Sequence, residues 1–416
     1  MTFSLYVDRL INPGSETAEG VSVEISGGRI SVVKCGRLPS DEDIQILDGV
    51  LAPALINSHD HLKYTWPEHI GEPPYDDSLE WLPSLYAAAD SLFLNVLTLE
   101  ELYWLGTYKS ILSGATTVAN HCRRLNPYFF TRFPIRILHN FAREIFIRFD
   151  HRAHQLGLGP EAEVRLARQA NLPFVVHIAE GLNHGTECEI ELLDRLGGLF
   201  DRSVLVHALN LSKHDIEKIR VTEASVVWCP VSNKFLFGKT APVHELLRRG
   251  INVALGTDST CTGSKDLLEE MKAAVGELGN SMSLQAAARQ VFDFVTINAA
   301  HAFRESANIG EIKVGASADL LIFGTSNVDP VVGLMDLRPK DILLLTFSGR
   351  WLLGESQYTT KLDCAHDVGS EVLVEGVSKA IVGEPVELLK RVTRLSGREA
   401  EFFPLGRVLG NSNYVR

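Results

Sequence analysis

Two histidines, separated by one residue, follow a buried apolar run in this chain. The run Leu51-Ala-Pro-Ala-Leu-Ile-Asn-Ser leads directly into His59-Asp60-His61. Side chains of a strand alternate between its two faces, so His59 and His61 would point to one side and Asp60 to the other. Neutral imidazole is a common protein ligand of zinc and related metals. The spacing is therefore consistent with half of a metal site, although an ordinary pair of strand-end histidines fits it equally well.

Further polar side chains close later apolar segments that are predicted as strands. Phe174-Val-Val-His-Ile carries His177, Val204-Leu-Val-His ends in His207, and Ile251-Asn-Val-Ala-Leu-Gly-Thr-Asp ends in Asp258. A (β/α)8 barrel gathers its active-site residues at the carboxyl ends of its strands. One histidine at a strand end is more often structural, but several such side chains in the same relative position favour a shared metal site.

A metal site of this composition predicts hydrolytic chemistry. A divalent ion held by three imidazoles and Asp258 keeps a position for water and lowers the pKa of that water from about 15.7 towards 7. Glu180 follows His177 by three residues and could carry a proton from the water to the leaving group. Asp258 could also accept that proton. His207 could ligate the metal or polarise the bond under attack, and the sequence leaves both roles open.

Other residues after predicted strands are candidate substrate contacts. His121 and Arg123 follow the strand Ala115-Thr-Thr-Val-Ala-Asn and could meet an anionic group of the substrate, or lie in a solvated loop. Ser232 and Asn233 follow the strand Ser225-Val-Val-Trp-Cys-Pro. Because binding residues concentrate on loops after barrel strands, a substrate contact is favoured over a turn cap for this pair.

A long segment from Lys63 to Leu92 is predicted to be irregular. It contains several prolines and three aromatic residues, Trp66, Tyr75 and Trp81. A loop of this length in a compact domain is usually functional, for example as a lid, or else disordered. The aromatic side chains could therefore line a substrate pocket, with Trp66 as the candidate contact, although packing beneath the loop fits them equally well.

The surrounding sequence predicts an α/β protein. Apolar strands alternate with amphipathic helices between residues 53 and 315, and Thr98-Leu-Glu-Glu and Ser212-Lys-His-Asp are typical N-terminal caps of helices. Such alternation predicts a (β/α)8 TIM-like barrel or an open sheet, and the absence of GxGxxG after the first strand disfavours a nucleotide-binding sheet. Residues 1–52 and 316–416 are rich in short strands and are predicted to form a composite β-sandwich domain with a C-terminal extension.

Composition limits the partners of the protein. A net charge of −12 disfavours nucleic acid and anionic membranes as partners, because both bind surfaces with clustered Lys and Arg. The 6 cysteines include no CxxC pair and are typical of reduced cytosolic thiols. Neither a signal peptide nor an apolar run of roughly 20 residues is visible. We expect a cytoplasmic homo-oligomer, a dimer, that acts on a small molecule.

Taken together, the motifs resemble the amidohydrolase superfamily of metal-dependent hydrolases, in the branch that contains triazine chlorohydrolases, guanine deaminases and adenosylhomocysteine deaminases. They occur in family order over about residues 20 to 355. The matching segments are Pro53-Ala-Leu-Ile-Asn-Ser-His-Asp-His-Leu, Gly114-Ala-Thr-Thr-Val, His177-Ile-Ala-Glu-Gly, Val206-His-Ala, Trp228-Cys-Pro-Val-Ser-Asn, Ala241-Pro-Val, Val253-Ala-Leu-Gly-Thr-Asp-Ser and Gly315-Ala-Ser-Ala-Asp-Leu.

The resemblance implies roles for individual residues. It implies one divalent ion, expected to be zinc with iron or manganese as alternatives, because no lysine before His177 stands for the bridging carboxylated lysine of binuclear members. It also implies the terminal β-sandwich. The implied ligands are His59, His61, His177 and Asp258, with Glu180 as the proton shuttle and His207 near the substrate.

Two features depart from the family pattern. Residues 134–173 lack clear substrate-binding features, which leaves the substrate class open. Asp60 is larger and more acidic than the small residue often found between the two histidines, and it could form an ion pair behind the site.

The predicted function is hydrolysis of a C–N bond of a small, heterocyclic molecule by metal-activated water, either as deamination or as amide-type hydrolysis. One alternative is displacement of another leaving group, such as halide, from a heteroaromatic ring. A second alternative is a catalytically silent binding protein on the same scaffold, because a fold does not fix a function.

Overall fold

The computed structural model describes residues 2–37, 44–65, 69–89, 97–148, 157–362 and 369–396, so that Trp66, Cys364 and residues 397–416 lie outside the described part. Its strands are β1 (Thr2–Leu10), β2 (Ala18–Ser26), β3 (Arg29–Cys35), β4 (Ile44–Pro53), β5 (Leu55–Asp60), β6 (Ala115–Asn120), β7 (Arg136–Leu138), β8 (Ala142–Glu144), β9 (Phe174–Ile178), β10 (Ser203–His207), β11 (Ser225–Trp228), β12 (Val253–Leu255), β13 (Leu320–Gly324), β14 (Ile342–Phe347), β15 (Arg350–Gly354), β16 (Gly369–Val374) and β17 (Val377–Val382).

Helices connect most of the central strands. They are α1 (Ser78–Ala89), α2 (Leu99–Leu112), α3 (Pro127–Phe130), α4 (Pro160–Ala170), α5 (His184–Glu187), α6 (Glu189–Arg195), α7 (Lys213–Val221), α8 (Pro230–Phe237), α9 (Val243–Arg248), α10 (Leu267–Leu278), α11 (Leu284–Phe294), α12 (Ile297–Ala302), α13 (Pro330–Met335), α14 (Ser356–Thr359) and α15 (Pro385–Ser396). None of the described helices is long and apolar enough to cross a membrane.

The central strands run parallel in two sheets. Within the described ranges, the orders are β5-β6-β7 and β12-β11-β10-β9-β8. Strand β12 also contacts β5, and the backbone N–H of Asp258 donates to the carbonyl of His59 at 3.1 Å. Parallel strands joined by helices confirm the predicted α/β class. Closure of all these strands into one barrel stays a prediction.

The two ends of the chain share a separate sheet. Its order over the described strands is β16-β17-β15-β14-β13-β4-β1-β2-β3. Strand β4 lies inside it, where Leu51 pairs with Leu10 of β1 on one side and with Ile322 of β13 on the other. Both terminal segments therefore contribute to one layer. The predicted sandwich and the domain boundaries at residues 52/53 and 315/316 stay predictions.

Strand β4 continues almost directly into the first strand of the parallel sheet. Only Ala54 separates β4 from β5, and its backbone N–H donates to the carbonyl of Asp319 at 2.9 Å. The terminal sheet thus leads straight into the segment that carries His59.

The segment from residue 63 to residue 92 is not irregular throughout, so that prediction was wrong. Helix α1 occupies Ser78–Ala89 and has Pro83 in its interior. Proline normally disrupts a helix interior, and this masked the periodic apolar positions Leu79, Leu82 and Leu85. Leu79 and Leu82 are buried, so packing of this apolar face stabilises the helix despite the proline.

The predicted N-terminal caps of two helices are confirmed. Thr98 Oγ1 accepts a hydrogen bond from the backbone N–H of Glu101, and the Glu101 carboxylate accepts one from the backbone N–H of Thr98. Ser212 and Asp215 form the same reciprocal arrangement at the start of α7. Each box satisfies backbone donors that have no partner inside the helix.

Substitution Thr98→Ala is expected to lower the free energy of unfolding by about 1 kcal/mol, because the first turn of α2 loses its side-chain acceptor. Urea unfolding followed by circular dichroism measures this loss. Thr98→Ser keeps a hydroxyl and serves as the control. A Thr98→Ser protein as unstable as Thr98→Ala would contradict a role for the hydroxyl.

Candidate metal centre

Strand β5 presents the histidine pair as the alternation of side chains predicts. His59 lies in the strand and is fully buried, and His61 immediately follows it. The two imidazole rings have centroids 4.9 Å apart. Asp60 points to the opposite side, where its carboxylate meets the Lys109 ammonium group of α2.

The other predicted ligands come from neighbouring strands. His177 belongs to β9, and Asp258 follows the end of β12 by three residues. Asp258 has φ of 58° and His207, the last residue of β10, has φ of 72°. This left-handed backbone is uncommon outside glycine and often marks a functional constraint. A Cβ atom at Gly256 would lie 2.6 Å from the His59 Cβ, so a glycine here allows β12 to approach β5 closely.

Distances between the side-chain donors fit a single metal ion. His59 Nε2 lies 3.1 Å from His177 Nε2 and 3.7 Å from Asp258 Oδ1, and His61 Nε2 lies 3.4 Å from the same oxygen. Adjacent ligands of a four- or five-coordinate zinc ion are roughly 2.8 to 3.5 Å apart when each bond is about 2.0 Å. The four side chains therefore have the donor types and the spacing that such an ion requires.

Burial sets the protonation states that metal binding needs. It lowers the pKa of His59 and of His61 to about 4, with only partial compensation from Asp258. It also lowers the pKa of His177 well below its usual value. For Asp258, burial alone would raise the pKa, but the hydrogen bond with His59 and the nearby histidine charges hold it well below its usual value. Neutral imidazoles and an ionised carboxylate are the ligand forms.

Hydroxyl groups orient the Asp258 carboxylate. Ser232 Oγ and Thr262 Oγ1 donate to Asp258 Oδ2 at 2.8 and 2.9 Å, and the backbone N–H of Ser259 donates to Oδ1 at 2.7 Å. Oδ2 is thereby occupied, and Oδ1 faces His59 and His61. The structure places fully buried Ser232 against this carboxylate, and its role as a substrate contact stays a prediction.

Glu180 lies between His177 and His207. Its Oε2 is 3.1 Å from His177 Nδ1, and its Oε1 is 3.4 Å from His207 Nε2. Burial raises the pKa of Glu180, and the His207 charge and a hydrogen bond from Ser78 only partly oppose this. A carboxyl group that is readily protonated at this position suits proton transfer.

The buried Asn233 amide fixes the orientation of His207. Asn233 Oδ1 lies 2.9 Å from His207 Nδ1 and accepts a hydrogen bond from its N–H. The other ring nitrogen, Nε2, then carries a lone pair and has no hydrogen-bond partner within the described residues. His207 is thus held with one nitrogen towards Glu180, and the role of Asn233 as a substrate contact stays a prediction.

Asp60 belongs to a buried network behind the histidine pair. Lys109 Nζ lies 3.0 Å from Asp60 Oδ1 and 2.8 Å from Oδ2, and Asn57 Nδ2 donates to Oδ2 at 3.2 Å. Asn57 also bonds to Thr257, one residue before Asp258. Burial raises the pKa of Asp60 and the charge of Lys109 opposes this. The network joins β5, α2 and the loop after β12, and so supports both halves of the site.

A cavity of about 200 Å³ opens beside these groups. Its polar part includes His61, His121, His177, Glu180 and Asp258. One wall belongs to α1 and comprises Ser78, Trp81, Leu82, Leu85 and Tyr86. Arg123 lines it as well, whereas Tyr75 packs beneath the wall with its hydroxyl 3.1 Å from Ser84 Oγ. An aromatic and aliphatic wall above polar groups suits a flat, apolar ring with few polar substituents.

Sequence patterns missed Lys109 and, apart from Trp81, the lining residues of α1. Lys109 follows Leu105 by four residues and precedes Leu112 by three, so its place on the buried face of α2 was a detectable signal. Its partner Asp60 lies 49 positions away, and no local pattern connects the two.

Several known proteins are similar to this chain. The model of the amidohydrolase family matches residues 161–352. A 5'-deoxyadenosine deaminase of Methanosarcina mazei is 37% identical over 139 residues, which is 33% of this chain and 32% of that relative. The chain thus covers about a third of this relative. A 5-methylthioadenosine/S-adenosylhomocysteine deaminase of Caldanaerobacter subterraneus subsp. tengcongensis is 26% identical over 360 residues, covering 73% of this chain and 80% of the relative.

A solved structure shows the same fold. The atrazine chlorohydrolase of Arthrobacter aurescens TC1, complexed with zinc, superposes with a TM-score of 0.70 at 19% identity, over 85% of this chain and 96% of that one. This likeness supports the TIM-like α/β architecture. The matched family model over residues 161–352 and the similar deaminases confirm the predicted resemblance to the amidohydrolase superfamily.

Proposed function

We propose that this chain is a metal-dependent deaminase that hydrolyses an amino group from a small nitrogen heterocycle. The observation that carries the proposal is the convergence of His59, His61, His177 and Asp258, with donor spacings of 3.1 to 3.7 Å, beside the buried carboxyl group of Glu180. Because two relatives are named as deaminases of adenine nucleosides with altered 5' groups, such nucleosides are the first substrates to test.

The four converging side chains would hold one divalent ion, and we propose zinc. Three imidazoles and one carboxylate are a donor set that suits zinc, and the similar chlorohydrolase was solved with zinc. When bound, the ion supplies Lewis-acid activation of a water molecule. Asp258 keeps Oδ1 directed at the ion position because Ser232 and Thr262 occupy its other oxygen.

Proton transfer falls to Glu180. As a carboxylate it accepts a proton from the attacking water, and as a carboxylic acid it then donates that proton to the leaving nitrogen, which departs as ammonia. His207 presents its Nε2 lone pair towards the same space and can accept a hydrogen bond from an N–H of the substrate. The wall formed by α1 positions the ring and excludes bulk water.

We further propose that the parallel strands close into a (β/α)8 barrel at residues 53–315, beside a composite terminal domain of residues 1–52 and 316–416. A homodimer and a cytoplasmic location complete the proposal.

Three measurements on the purified protein test the proposed function. Elemental analysis is expected to find about one divalent ion per chain, and assays of ammonia release should identify at least one substrate among 5'-deoxyadenosine, S-adenosylhomocysteine, adenosine, guanine and simple amides. Chloride release from a chlorotriazine is measured in parallel. Chloride release without ammonia release would favour halide displacement over deamination as the function. A protein that binds no zinc, iron or manganese and stays inert after reconstitution would be a silent binding protein.

A further inference from the structure

His121 is a fourth imidazole in the predicted metal centre, and neither the proton transfer nor the ligand set above uses it. It directly follows β6, and its side chain is only 1% exposed. Both of its ring nitrogens are buried without a hydrogen-bond partner in the described part of the chain. A neutral imidazole has one N–H donor and one acceptor, and leaving both unsatisfied in the interior is unfavourable. Something that the protein chain does not supply should therefore contact this ring.

The ring lies within the histidine cluster. Its centroid is 5.3 Å from that of His59, 5.7 Å from that of His61 and 5.0 Å from that of His177. One ligand nitrogen from each of these four residues can be chosen so that all lie within 4.8 Å of one another. Two ligands on opposite sides of an ion are about 4.2 Å apart when each bond is about 2.1 Å. Small side-chain movements would thus bring all four nitrogens to one ion.

We propose that His121 is an additional ligand of the metal ion, so that the centre has four imidazoles and the Asp258 carboxylate. This inference rests on the proposed metal site. One nitrogen of His121 binds the ion, and the other faces the cavity, which His121 also lines, where a water molecule or a substrate acceptor can meet it.

A nearby cation does not explain why both ring nitrogens of His121 lack a hydrogen-bond partner among the described residues. Arg143 is buried, but its guanidinium donates to the backbone carbonyls of Cys122 and Phe141. Phe141 itself meets the His121 ring edge-on with centroids 6.4 Å apart, a contact that satisfies no ring nitrogen. The described rings with centroids nearest to that of His121 belong to His59, His61 and His177.

An additional imidazole predicts a particular metal preference. Nitrogen donors favour the later first-row ions, with affinity rising from Mn²⁺ through Co²⁺ to Ni²⁺. Loss of His121 should therefore weaken Ni²⁺, Co²⁺ and Zn²⁺ binding more than Mn²⁺ binding. A residue that only touches substrate would leave all four affinities unchanged.

Metal titrations of the full chain test the proposal. Competition with a chromogenic chelator is expected to show at least about tenfold weaker Zn²⁺ binding for His121→Ala than for the natural protein. The visible absorption of the Co²⁺ form should also change, and added imidazole should restore it. His301→Ala is the matched control, because His301 is an exposed histidine on α12. Circular dichroism confirms that both variants are folded.

The outcomes separate the possible roles. Unchanged Zn²⁺ affinity and an unchanged Co²⁺ spectrum in folded His121→Ala would overturn the proposal. His121 would then be a substrate contact, and the substitution would raise KM without changing kcat. If His121→Ala does not fold, X-ray absorption of the Zn²⁺-loaded natural protein decides, because four imidazole ligands are expected and three would overturn the proposal. Failure of the natural protein to bind any metal would instead refute the proposed function, and this inference with it.

Discussion

Substitution Glu180→Gln is expected to lower kcat by about 100-fold or more while the bound metal is retained. A carboxamide cannot accept a proton from water or return it to a leaving nitrogen. It can still accept the hydrogen bond from His177 Nδ1, which spans 3.1 Å in the structure. The orientation of that predicted ligand should therefore survive the change. The expected result is an enzyme that is loaded with metal and binds substrate but turns over slowly.

Steady-state kinetics on the substrate found by the ammonia screen, together with metal analysis of each preparation, measure this effect. Glu187→Gln is the matched control, because Glu187 is an exposed carboxylate in the following helix. Unchanged kcat in Glu180→Gln would remove this residue from the mechanism. Loss of metal from the variant would instead make Glu180 a positioning residue for His177.

Substitution Lys109→Met is expected to lower the free energy of unfolding by about 3 to 5 kcal/mol. The Lys109 and Asp60 side chains are 2% and 0% exposed, so the remaining carboxylate could not recruit solvent in place of the ammonium group. The main polar contact left to the Asp60 carboxylate would be the hydrogen bond that Asn57 Nδ2 donates. Methionine fills a similar volume, so the loss reports the unpaired charge and not a cavity.

Denaturant unfolding of the double variant Lys109→Met/Asp60→Asn provides the control. Removing both charges should recover most of the stability, because the amide needs no counter-ion and still accepts from Asn57. A double variant no more stable than Lys109→Met would show that Lys109 acts through packing alone. A loss below about 1 kcal/mol in Lys109→Met would place the pair in the range of solvent-exposed ion pairs.

Much of the site was predictable from local properties of the strands. These are the alternation of side chains between the two faces of a strand and the residue at which each strand ends. Alternation was enough to place His59 and His61 together and Asp60 on the other side. The shared carboxyl edge of parallel strands was enough to bring His177, His207 and Asp258 to the same region. These predictions depend on the backbone geometry of single elements, which the sequence specifies directly.

Contacts between distant elements were not predictable in the same way. The sequence offered Ser232 and Asn233 as substrate contacts, whereas the structure places them against Asp258 and His207. Which atoms meet depends on how α8 packs on the parallel strands, and many polar pairs satisfy the same sequence pattern. Helix α1 was missed because Pro83 disfavours a helix interior. Burial of Leu79 and Leu82 stabilises the helix despite the proline.

The position of β4 also determines when this protein can finish folding on the ribosome. One edge of β4 pairs with β1, which is made earlier, but the other requires β13, which begins about 270 residues after β4 ends. At 5 to 20 residues per second, translation leaves that edge open for roughly 14 to 54 s. The unpaired edge of β4 carries apolar Val50, Leu51 and Ala52, and an edge of this kind can pair with strands of other nascent chains. The yield of folded enzyme in a foreign host should therefore depend on chaperones that shield this strand during synthesis.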